Sequence, residues 1–197
     1  MSTGTWDLHG VEVCGEQTIV VYSSRAQQFT WEGFGLKLHF HEGSLPADME
    51  QCTINIKASL TGQYEFPDNH HLVSTIFWLR CEPLCKFIKH IEVEVQHCAR
   101  SENVSKLRFV RAVCSQKQLP YTFKQLGGDF TSHSSYGVIE LSSFSGLAVT
   151  QEGSEERNYL ANLLYKEVKG HHARCIVEIY IVVIWNVDAH RTVSQSM

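Results

Sequence analysis

Residues 91–97 read Ile91-Glu92-Val93-Glu94-Val95-Gln96-His97. Apolar and polar side chains alternate, which sets Ile91, Val93, Val95 and His97 on one face and Glu92, Glu94 and Gln96 on the other. A segment with one dry face and one wet face is a half-buried strand of an antiparallel sheet. The same period recurs upstream. "GLKLHFH" (35–41) turns Leu36, Leu38 and Phe40 inward and Lys37, His39 and His41 outward, and "TINIKA" (53–58) turns Ile54, Ile56 and Ala58 inward. Further strands are expected at 18–22, 74–79, 107–113, 136–141 and 147–149, and residues 11–22 add one or two before the main run.

Turn-forming clusters separate these runs: Glu42-Gly43-Ser44, Thr61-Gly62, Pro67-Asp68-Asn69, Gly127-Gly128-Asp129 and Glu152-Gly153-Ser154. Many short strands with frequent turns predict an all-β fold, an antiparallel β-sandwich with an additional C-terminal strand pair. Residues 156–169 fit a helix through Leu160, Leu163, Leu164 and Val168, and a strand through Tyr159, Ala161, Leu163 and Tyr165; their neighbours favour a strand. The expected division is leader strands over 1–30, a sandwich over 31–150 and, after a polar acidic loop, strands over 158–190. These last strands either extend the same sandwich or open a second all-β unit. Trp31, Trp78 and Trp185 fall within strand patterns and are expected in the core, while Trp6 is placed to fix the leader.

The composition narrows the function classes. A chain of 197 residues with 43% apolar and 19% charged residues is long and apolar enough to bury a core. Its net charge is −4 and its Lys and Arg form no stripe, which argues against nucleic acid as a partner. "MSTGTWDLHG" lacks the basic start and apolar core of an export signal. "CIVEIYIVVIW" (175–185) is too short to span a bilayer and carries Glu178, so it reads as a buried strand. Seven cysteines, at positions 14, 52, 81, 85, 98, 114 and 175, make an odd and scattered set. With no export signal, they read as free thiols of a cytoplasmic protein. No glycine-rich phosphate loop, nucleotide fingerprint or paired catalytic carboxylates are present, so neither a cofactor nor a small-molecule substrate is expected.

Three stretches in order resemble the ZU-five domain: "GFGLKLHFHEGSLP" (33–46), "LVSTIFWLRCEPLCKFIKHIEVEVQHCA" (72–99) and "ELSSFSGLAV" (140–149). The resemblance covers about 33–149. It implies a β-sandwich that serves as a protein-interaction module, as in ankyrins, netrin receptors, zonula-occludens scaffolds and PIDD. Residues 159–190 look similar to the strands that open a UPA segment, which often follows. The expected function is a non-catalytic interaction or scaffold module in intracellular signalling or cytoskeletal attachment, with a protein as partner. Docking would use surface complementarity or an added strand.

The resemblance also raises a catalytic alternative, because self-cleaving relatives break their chain between a Phe and a Ser. Here that bond joins Phe144 to Ser145. The Ser hydroxyl would attack the preceding carbonyl, and water would hydrolyse the resulting ester. A base, an oxyanion donor and a strained peptide are needed. The region where relatives carry the base has no His, and His133 is the nearest upstream candidate. The preferred reading is structural: Phe144 packs into the sandwich and Ser145 faces a strand end.

A second alternative is a small metal-binding protein. Cys81 and Cys85, with His97 and Cys98 downstream, invite a zinc site, which needs four converging ligands. The spacing is loose and His97 and Cys98 face opposite ways, so buried thiols acting as small hydrophobes are preferred. His39 and His41 share one strand face, and two ligands alone fit a solvated face better than a metal site.

Overall fold

A computed structural model describes residues 8–99, 101–112 and 119–153. Fourteen strands are found there: β1 (Val11–Tyr22), β2 (Gln27–Trp31), β3 (Leu36–Phe40), β4 (Gln51–Gly62), β5 (Tyr64–Glu65), β6 (His70–Leu72) and β7 (Ile76–Glu82). They continue with β8 (Ile91–Gln96), β9 (Leu107–Ala112), β10 (Tyr121–Thr122), β11 (Lys124–Leu126), β12 (Asp129–Phe130), β13 (Tyr136–Leu141) and β14 (Gly146–Glu152). Helix among the described residues is limited to short 3-10 turns at Glu32–Phe34 and Ser101–Lys106. No helix there is long and apolar enough to cross a membrane.

The protein is an all-β sandwich. One sheet runs β1-β4-β7-β14-β9-β11, with β6 pairing β14 beyond the end of β7; the other runs β12-β13-β8-β3-β2. Both are antiparallel throughout. Period-two alternation fixes the register. Val93 of β8 sits opposite Leu38 of β3 on one side and Ile139 of β13 on the other. All three point into the space between the sheets. Facing them are Ile54 and Ile56 of β4, Phe77 and Leu79 of β7, Phe109 of β9 and Leu147 and Val149 of β14. Burying each such side chain is worth about 1.5–3 kcal/mol. A one-residue slip of β8 would turn Ile91, Val93 and Val95 out to water and carry the Glu pair inward, which is why this register is strongly specified.

Trp78 is fully buried, but outside that core. It lies on the outer face of the larger sheet, where Leu8, Tyr64, Phe66, Tyr121 and Phe123 cover it. The short parallel pair of β5 and β10 carries part of this cover. The Trp78 indole N–H donates to Ser59 Oγ at 3.0 Å, and that hydroxyl lies 2.9 Å from the Tyr64 phenol. Burial, offset in part by these hydrogen bonds, pushes the Tyr64 phenol up to about 12. A strand buried on both faces reads as a continuous apolar run, as residues 76–79 do.

The early segment takes a definite place. β1 is a single twelve-residue strand, bulged between Glu12 and Gly15, that pairs with β4 at the sheet edge. β2, which has no bounds of its own within the leader strands expected over 1–30 and which ends at Trp31, is the edge strand of the other sheet. Thr61 and Gly62, expected in a turn, are instead the last residues of β4 and pair with Glu12 and Val11. The additional strand pair expected at 158–190 lies outside the described residues, as do Trp6, Trp185, Cys114 and Cys175.

Candidate functional site

Three connections meet at one end of the sandwich: residues 41–50 after β3, 83–90 after β7 and 142–145 after β13. Their meeting point is a triangle of aromatic rings. Phe40, Phe87 and Phe144 lie edge to face, with centroids 4.9–6.3 Å apart. Offset and edge-on arrangements of this kind are the favoured ones for aromatic rings. Around the rings the backbone is tied down as well. The Phe87 N–H donates to the Ser142 carbonyl and the Ile88 N–H to the Ser44 carbonyl, each at 2.8 Å. The Lys89 ammonium donates to the Glu42 carbonyl at 2.6 Å.

The 83–90 connection is therefore anchored by a buried Phe87, yet its other apolar side chains face water. Leu84 is 79% exposed and Ile88 65%, the two most exposed large apolar side chains of the described residues. Lys86, Lys89 and His90 are exposed beside them. The nearest acid in sequence, Glu82, is held by Arg80 at 3.4 Å. The result is an anchored loop that carries two aliphatic knobs beside Lys86 and Lys89, with His90 Nδ1 3.3 Å from a Glu140 carboxylate oxygen.

Phe144 and Ser145 belong to the same end, and the geometry gives each a partner. Phe144 is the third ring of the triangle. Ser145 is only 4% exposed, and its Oγ accepts a 2.6 Å hydrogen bond from Arg111 Nε. The same guanidinium donates to Ser143 Oγ at 2.9 Å, so Arg111, reaching over from β9, clamps the bend that leads into β14. The Ser145 hydroxyl proton points to the Gly146 carbonyl at 3.3 Å. A guanidinium stays charged and cannot take a proton, and a carbonyl is no general base. His133 is exposed in the turn that precedes β13, while Ser145 follows β13's other end. Six residues of strand, roughly 20 Å at ~3.3 Å per residue, separate those ends. The two are not brought together.

Gly146 has its own reason to be glycine: a Cβ there would lie 2.7 Å from Trp78 Cζ3. Packing against the indole accounts for the glycine at this strand start.

The cysteines are rearranged relative to expectation. Cys81 and Cys85 do meet, at 3.1 Å between sulfurs. His97 and Cys98 do not join them, because they follow the far end of β8. The third thiol at the cluster is Cys52, whose Sγ lies with the other two inside a 4.8 Å span. Sequence reasoning passed over it because β4 is remote from β7 along the chain; the signal was its inward place in the row Cys52, Ile54, Ile56. Contact with Cys52 and burial push the Cys81 thiol well up, and burial with Cys81 nearby pushes Cys85 up to about 12.

His97 is buried at the opposite end, edge-on to Phe130, with no hydrogen-bond partner on either ring nitrogen, and burial lowers its pKa. His39 lies on the outer face of the smaller sheet, its Nε2 2.8 Å from Glu94 Oε1 and 3.8 Å from Glu92 Oε1. Lys37 donates to the other Glu94 oxygen at 2.7 Å. Burial works to raise the Glu94 pKa, but the Lys37 and His39 contacts outweigh it and hold the carboxyl below its usual range. His41, expected beside His39, is exposed past the end of β3.

No protein-family model and no curated protein matches this chain.

Proposed function

We propose that this chain is a non-catalytic protein-interaction module of the ZU-five kind, and that residues 83–90 are its docking surface. The observation that carries the proposal is the pairing of rigid anchoring with exposure in that loop. Ordering a loop costs conformational entropy, and a docking surface that is already ordered binds without that cost. Leu84 and Ile88 supply apolar contact, and Lys86 and Lys89 set the sign of the partner. The partner is an acidic protein segment with aliphatic side chains.

An antiparallel sandwich is the architecture that the ZU-five resemblance implies, which supports the reading. The twelve-residue edge of β1 is a weaker docking surface for an added strand. It carries a bulge, Glu12 and Glu16, features that guard edges against pairing. The Arg111 clamp on Ser145 favours an uncut chain over self-cleavage. The proposal sets the module in the cytoplasm, in signalling or cytoskeletal attachment. The five free cysteines among the described residues are in keeping with a reducing compartment.

Selection of a displayed random-peptide library on the purified chain tests the docking surface. Enriched peptides should combine Asp or Glu with Leu, Ile or Val. They should lose at least tenfold in affinity against the Leu84→Asp/Ile88→Asp double variant, and weaken as salt rises. Peptides that bind the double variant as well as the parent would refute the assignment.

A further inference from the structure

Three sulfurs converge where β4, β7 and the 83–90 connection meet. Cys52 and Cys81 sit on inward rows of neighbouring strands, with Ile54 of β4 directly opposite Cys81. Cys85 returns from the loop to within 3.1 Å of Cys81, and all three Sγ atoms lie within 4.8 Å of one another. A tetrahedral Zn²⁺ with Zn–S bonds of ~2.3 Å holds its sulfurs ~3.8 Å apart, a value inside the observed spread. Cysteines used only as small hydrophobes need not bring their sulfurs to one point, as these three do. Cys14, on β1, shows the alternative: its thiol donates to the Ala58 carbonyl at 3.2 Å.

Exposure adds a second feature. Cys52 and Cys81 are buried, whereas Cys85 is half-exposed. Two ligands are held by the sheet, and the third lies at the surface where an ion can enter.

We propose that Cys52, Cys81 and Cys85 form a three-thiolate site for Zn²⁺, with the fourth position open to water or an incoming ligand on the Cys85 side. Thiolate donors select soft or borderline cations of this kind. Binding replaces three S–H bonds by three Zn–S bonds and releases three protons to solvent. The cation's own charge favours the deprotonated form of a coordinating thiol, so binding and proton release are coupled. The ion would staple the 83–90 connection to β4 and β7 through a bond that bypasses the aromatic triangle. The proposal rests on the sulfur geometry and stands whether or not that loop docks a partner.

The experiment uses the full chain, reduced, stripped with chelator and desalted. Zn²⁺ is titrated in competition with a chromophoric chelator, proton release is followed in weak buffer, and Co²⁺ serves as a visible probe of tetrahedral thiolate coordination. One equivalent should bind, with proton release and a rise in Tm. Cys85→Ser should weaken binding at least tenfold while the metal-free chain still melts cooperatively, which separates a lost ligand from a lost fold. Cys52→Ala should do the same to binding, and Cys14→Ser should leave it unaltered. The proposal is overturned if the stripped chain takes up no stoichiometric Zn²⁺ at micromolar concentration, or if Cys85→Ser and Cys52→Ala both bind like the parent. It is equally overturned if mass spectrometry finds a Cys81–Cys85 disulfide in the reduced, desalted chain.

Discussion

If Arg111 clamps the bend before β14, a double-mutant cycle between Arg111 and Ser145 will reveal the coupling. The 2.6 Å bond from Nε to the Ser145 hydroxyl is charge-assisted, and such bonds contribute about 1.5–3 kcal/mol. Arg111 is half-exposed, so water replaces part of what it loses when the hydroxyl goes. Ser145→Ala should therefore cost about 1 kcal/mol, below the full range. Arg111→Met also frees Ser143 and leaves a buried hydroxyl without its donor, so about 2 kcal/mol is expected. For a chain of this length that corresponds to a Tm lower by roughly 4–8 °C.

The two losses should not add. Once Arg111 is gone, Ser145→Ala has little left to remove, and a coupling of about 1 kcal/mol should appear, well outside the ~0.3–0.5 kcal/mol scatter of independent sites. Urea unfolding followed by tryptophan fluorescence measures it, and a denaturing gel of each variant reports on the chain itself. A coupling near zero would sink the clamp. So would a fragment pair split after Phe144 in the parent that Ser145→Ala abolishes.

Four further outcomes follow from the packing and hydrogen bonds of this fold. Gly146→Ala should destabilise by about 1–3 kcal/mol in urea, because the new methyl meets a Trp78 ring that five side chains hold in place. Ser59→Ala removes the 3.0 Å acceptor of the Trp78 indole N–H and leaves the Tyr64 phenol as its remaining partner, so a cost of about 1 kcal/mol is expected by the same assay. The lowered pKa of His97 means the unfolded chain takes a proton first, so stability is whole above pH 6.5 and declines as pH falls below it; His97→Leu should flatten that decline in thermal melts between pH 7 and 5. Phe144→Ala opens the aromatic triangle, and limited trypsin digestion should then cut at Lys86 or Lys89 several-fold faster than in the parent.

Alternation made the core legible. The strand at 136–141 coincides with β13, and the inward residues Leu36, Leu38, Phe40, Ile54, Ile56, Ile91, Val93 and Val95 are all buried. What alternation does not reach is burial on two faces. Trp78 belongs to the continuous run 76–79, and part of its cover comes from Tyr121, on the two-residue β10, and from Phe123 just after it, over forty positions away in sequence and in a stretch too short to show a period. β2 has no bounds of its own within the expected leader strands for a related reason: "QQFTW" sits on an edge, with Gln28 and Thr30 exposed and the other three only partly buried, so its pattern is shallow. At the site, sequence showed which residues were reactive in type but not which would meet. Cys81 and Cys85 are four apart and could be paired on paper. Cys52 enters only through the β4–β7 register, and His97 and Cys98 leave only because β8 carries them to the other end.

The Phe144-Ser145 pair shows how far a short motif underdetermines chemistry. A Ser after a Phe at a strand start is compatible with a nucleophile or a structural hinge, and the residues themselves do not differ between the two. The difference lies in what the neighbouring strand presents. β9 sets Arg111 opposite Leu147, and from there its side chain reaches back to Ser145 and Ser143. A histidine in reach of the hydroxyl would be a proton acceptor, whereas an arginine is only a donor. The clamp also joins the two features of this end, since the bend it holds positions Phe144, and Phe144 packs on the Phe87 that anchors the exposed loop. Breaking the peptide bond after Phe144 would release that ring from the strand which fixes it. On this fold, self-cleavage and an anchored 83–90 loop work against each other, and the contacts of Arg111 favour the anchored loop.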